Sequence, residues 1–180
     1  NNLINILITL PRYKNYDQFI FDYQNSKNFI NIMKRSIEQY SEKVNFIFRP
    51  KPGDFSMVYD DLSWMFNSEN SFICDTKNYS ASDLIIWADW VFASNGSAII
   101  TESCLLNRQV LTFDFIGCIG ELWSVFGRDM CISTQEHLKK VIDDISNLKE
   151  LEIDRSYLEK MLISEQNKLP LNQIISDRFL

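Results

Sequence analysis

Apolar residues along this chain gather in short, nearly continuous runs separated by longer amphipathic stretches. Leu3 to Leu10 is the first run, and Pro11 closes it. Such a run predicts a strand buried on both faces, because a sheet with one wet face would show strict alternation. Val44 to Phe48, Ser71 to Cys74, Trp90 to Ala93 and Gln109 to Phe113 read the same way. Arg49-Pro50-Lys51-Pro52-Gly53 ends the second run, since paired prolines fit neither a strand nor a helix interior. Between the runs the period changes. Phe29, Ile32, Met33, Ile37 and Tyr40 recur at helical spacing and predict an amphipathic helix over 26–40. Shorter helices are expected over 57–66 and 84–88, the latter opened by a capping-box-like Ser80-Ala81-Ser82-Asp83. Ser133-Thr134-Gln135-Glu136 predicts a capping box before the stripe of Leu138, Val141, Ile142, Ile145 and Leu148. A polar helix from Asp154 and a loosely patterned tail complete the chain.

Strands alternating with helices predict an α/β fold: a single Rossmann-like domain with a mostly parallel sheet of about six strands and helices on both faces. We expect this domain over 1–150. Residues 151–180 are expected to pack back on it or toward a partner domain. In open parallel sheets, ligands bind in the crevice outside the carboxyl ends of the strands. Several polar groups converge on that rim: Arg12 after the first strand, Arg49 and Lys51 after the second, Ser94-Asn95-Gly96-Ser97 after the fourth and Asp114 after the fifth. Two connections invite function by their length. One runs from Arg12 to Asn25. The other, Phe115 to Asp129, is punctuated by glycines and reads either as a lid or as a segment tied down by Trp123 and Phe126.

Composition narrows the function. With 180 residues, 46% hydrophobic and 13% aromatic, the chain can bury a substantial core. A net charge of −6 disfavours a nucleic-acid partner, which calls for a basic stripe. No apolar run reaches the length of a membrane span. The four cysteines are widely spaced and lie in apolar stretches, so they read as reduced packing residues of a cytoplasmic protein. One histidine, His137, leaves no zinc site and no Ser-His-Asp hydrolase to assemble. Neither a dinucleotide fingerprint nor a phosphate-loop motif is present. A start at Asn1-Asn2, directly before a strand, suggests a domain taken from a longer enzyme.

The segment from Trp90 to Asp114 carries the sharpest chemistry. A strand runs into a turn of small polar residues, and a short helix then leads to a second strand. Such a turn lets backbone N–H groups approach a phosphate, and the helix adds its positive dipole end. The same residues can equally serve as an N-cap cluster. Glu102 follows Ser97 by five positions. Its neighbours Ile99, Ile100, Cys104 and Leu105 predict a largely buried helix, in which a carboxylate needs a partner: a ligand diol or a protein donor. Asp114 ends a strand and either contacts ligand or caps the next turn.

In motif order over residues 3 to 148, this pattern resembles the C-terminal, donor-binding half of GT-B glycosyltransferases of bacterial surface and capsular polysaccharide. The resemblance is strongest from Trp90 to Asp114. It implies a nucleotide-activated sugar as substrate, bound by Arg12, Arg49, Lys51, Ser94, Asn95, Gly96, Ser97, Glu102 and Asp114 without metal or other cofactor. It also implies an N-terminal Rossmann domain of the same enzyme, which supplies the acceptor site and the base and can associate peripherally with a membrane. Many such transferases carry a His at the place of Lys51. A cation there survives the change; an imidazole role does not. Two alternatives stand beside this reading: a sugar-nucleotide 2-epimerase domain and a non-catalytic nucleotide-binding or interaction module. The epimerase motif normally has paired Gly and paired Glu, where this chain has Ser97-Ala98 and Thr101-Glu102.

Overall fold

A computed structural model of the chain describes residues 3–10, 20–40, 42–52, 62–63, 71–74, 76–94, 97–115 and 131–147, with only the backbone of 20–26. Each apolar run becomes a strand: β1 (Ile4–Thr9), β2 (Val44–Arg49), β3 (Ser71–Ile73), β4 (Trp90–Ser94) and β5 (Gln109–Phe113). A sixth, β6 (Cys131–Ile132), is two residues long, too short to leave a period in the sequence. The strands form one sheet in the order β3-β2-β1-β4-β5-β6, and every pair is parallel. The order reverses between β1 and β4. The expected α/β, Rossmann-like architecture is therefore the one observed.

Alternate residues of each strand face opposite sides, and each side is covered. Ile6, Ile8, Phe46, Phe48, Phe92, Leu111, Phe113 and Ile132 pack with α1 (Ile20–Tyr40) and α4 (Gln135–Ser146). Phe29 of α1 stacks on Phe113 with ring centroids 4.0 Å apart, and Phe115 leans against both. Leu7, Val91, Ala93 and Val110 pack on the other side with α2 (Ala81–Trp87) and α3 (Ile99–Leu105). Burial on both faces is why these strands read as continuous apolar runs.

Three local expectations change. The first helix begins at Ile20, not at 26, and takes in the second half of the polar connection; no Pro or Gly between 20 and 26 stops it. The cap of α4 is Thr134, whose hydroxyl accepts from the His137 amide at 3.1 Å. The Ser133–Glu136 box is thus displaced by one residue. The capping at Ser80 is observed: its hydroxyl accepts from the Asp83 amide at 3.1 Å, but α2 already starts at Ala81. Of the helix expected over 57–66, only Leu62 and Ser63 are among the described residues, both in helical turns. Trp90 is buried as expected and Trp87 half-buried, while Trp64 lies outside the described residues. Cys74, Cys104 and Cys131 are not in disulfides; Cys118 lies outside the described residues, as do residues 151–180.

Candidate functional site

The site begins with register. Arg49 pairs with Thr9, Thr9 with Ala93, Ala93 with Thr112 and Thr112 with Cys131. These five residues form one row across the carboxyl end of the sheet. The strand pleat puts them on the face shared with Leu7, Val91 and Val110. Below the row the sheet is apolar, and at the row it turns polar. Single backbone bonds carry the strands one step further: the Leu10 amide donates to the Arg49 carbonyl at 3.1 Å, and the Asp114 amide to that of Ile132 at 2.9 Å. Backbone pairing therefore extends to the rim where ligands enter such sheets.

Arg49 is half-buried, and its Nε is buried with no hydrogen-bond partner among the described residues. A guanidinium in that state has donor capacity to spare for an anion. Lys51, also half-buried, follows two residues later. Beside Arg49, Thr9 is buried and its hydroxyl donates to the Phe92 carbonyl at a long 3.5 Å. That bond ties β1 to β4 across the reversal of strand order.

At the end of β4, Ser94 is buried and its carbonyl accepts the Ser97 amide at 3.2 Å. The cap of α3 is Ala98, in helical backbone geometry and with no side-chain cap bond. Ile100 donates to the Ser97 carbonyl at 3.1 Å and Glu102 to that of Ala98 at 3.2 Å.

Glu102 is exposed, contrary to the expectation of a largely buried carboxylate. The helix has only seven residues and turns Ile99, Ile100 and Ser103 to the sheet. Glu102 projects from another part of its circumference and needs no protein donor. Asn107 then ends the helix in the left-handed region, φ 57°, a geometry Asn tolerates better than most residues. Arg108 clamps the end: its amide donates to the Ser103 carbonyl at 2.9 Å and its guanidinium to that of Ile86 at 2.5 Å.

Asp114 is buried beyond β5, beside Cys131. Burial pushes the Cys131 thiol up, a hydrogen bond with Thr112 draws it partly back, and the Asp114 carboxylate adds to the rise. The thiol stays protonated near neutral pH and offers no nucleophile there. Arg49, Ser94 and Asp114 thus reach one edge of one sheet, with Ser97 and Lys51 next to it. Arg12, Asn95 and Gly96 lie outside the described residues, as does the loop beyond Phe115 to Asp129. Thr9 and Thr112 were not anticipated. A hydroxyl inside a near-continuous apolar run, two residues before Pro11, was the available signal for Thr9.

Among the described residues, no group of three or more His, Cys, Asp or Glu side chains is placed to hold a metal ion. No helix among them is long and apolar enough to cross a membrane.

No protein-family model matches the sequence, and no curated protein does. Solved structures do match in fold. The UDP-GlcNAc 2-epimerase of Methanocaldococcus jannaschii, in complex with UDP-GlcNAc and UDP, superposes with a TM-score of 0.54 at 19% identity, over 82% of this chain and 40% of that one. The enzyme of the same name from Neisseria meningitidis, bound to UDP-GlcNAc, gives a TM-score of 0.54 at 17% identity, over 97% and 44%. KpsC of Thermosulfurimonas dismutans, a β-Kdo 2,4 transferase, gives 0.42 at 14% identity, over 62% and 34%. The chain spans less than half the length of these proteins. Its fold is Rossmann-like, that of one half of the GT-B fold.

Proposed function

We propose that this chain is the nucleotide-sugar donor-binding domain of a glycosyltransferase in bacterial surface polysaccharide biosynthesis. One observation carries the reading: Arg49, whose buried Nε has no partner among the described residues, stands one strand from the reversal of strand order, on the rim that also holds Ser94 and Asp114. β2 and β4 are two strand spacings apart, roughly 10 Å, which an arginine side chain and a diphosphate can bridge together. In this reading Arg49 and Lys51 face the diphosphate from one side and the amides of the Ser94–Ser97 turn from the other. Charge developing on the leaving nucleotide is met by groups already in place, so no metal is called for. Glu102, on the exposed side of α3, is assigned to a sugar or ribose hydroxyl pair. The acceptor site and the base belong to a second Rossmann-like domain of the same enzyme.

The likeness to UDP-GlcNAc 2-epimerases favours a second reading, an epimerase half. Ser97-Ala98 and Thr101-Glu102 stand against it. The test is a thermal-shift and calorimetric screen of the full chain with UDP, CDP, GDP and CMP. A binding nucleotide at a hundred times its dissociation constant should stabilise by about 2.7 kcal/mol. No shift with any of them overturns the proposal. Joined to its second domain, a transferase needs an acceptor to consume donor, whereas an epimerase interconverts two sugar nucleotides without one.

A further inference from the structure

We draw no further inference here: the strongest candidate, an apolar groove of about 510 Å³ where Ile47 and Phe72 of the β2–β3 edge face Tyr79, Leu84 and Trp87 on and just before α2, carries nothing because nothing in the structure shows what covers it.

Discussion

Thr9 and Arg49 are register partners at the carboxyl ends of β1 and β2, so a buried hydroxyl and a half-buried guanidinium share one row and one face of the sheet. Thr9 is held by its neighbour β4, while Arg49 keeps a buried Nε with no partner among the described residues. Side by side, one is bonded into the sheet and the other has an Nε that no described residue bonds.

Arg49→Ala should therefore separate binding from folding. A hydrogen bond to a charged group is worth about 1.5–3 kcal/mol, so nucleoside diphosphate affinity should fall about tenfold or more. Calorimetric titration measures it. Ligand-free melting should hold steady, since the substitution removes an unsatisfied buried nitrogen. A lowered melting temperature with unchanged affinity would make Arg49 a structural residue.

Glu102→Gln tests the diol assignment. The side chain is exposed, so ligand-free stability should change by no more than about 0.5 kcal/mol. Nucleoside diphosphate binding should weaken about tenfold while inorganic phosphate binding holds, because only the former presents hydroxyl pairs. Equal weakening of both ligands would remove Glu102 from the sugar or ribose.

Capping of α4 gives a pair of substitutions with opposite expectations. Thr134→Ala should cost about 1 kcal/mol in urea unfolding, whereas Ser133→Ala should cost little. The reverse ranking would restore the cap that the Ser-x-x-Glu spacing suggests.

The hydroxyl of Tyr40 donates to the Asp143 carboxyl, joining α1 to α4 over the sheet. Burial raises the Tyr40 phenol above its ordinary value of 10.0, and the hydrogen bond and charge of Asp143 raise it further. The unfolded chain then ionises first. The associated stability is fully present below about pH 10 and is lost as pH rises beyond it. Tyr40→Phe should cost about 1 kcal/mol at neutral pH and flatten that alkaline decline. Unchanged pH dependence in the variant would show that another group controls it.

Some of this protein was legible in its sequence for a simple reason. A strand covered on both sides has no polar positions to alternate with, so Ile6, Leu7 and Ile8 had to come as a run, and Val91 to Ala93 likewise. Pro11 and the Arg49-Pro50-Lys51-Pro52 turn marked where backbone pairing stops. From strands alternating with helices, a parallel sheet and its carboxyl edge followed, and Arg49, Ser94 and Asp114 fall on that edge by their places at or just beyond strand ends.

Other features depend on neighbours distant in sequence. Strand order decides that β1 lies between β2 and β4, and hence that Thr9 meets Arg49; nothing local encodes that pairing. β6 is a strand because Thr112 and Phe113 of β5 lie beside Cys131 and Ile132, not because two residues carry a period. Glu102 misled for the same reason. Apolar neighbours imply burial only when a helix is covered all round, and α3 turns one face to the sheet and leaves Glu102 in solvent. Local pattern determined which segments form strands and where they stop. Tertiary packing alone decided which side chains share a row and which are covered.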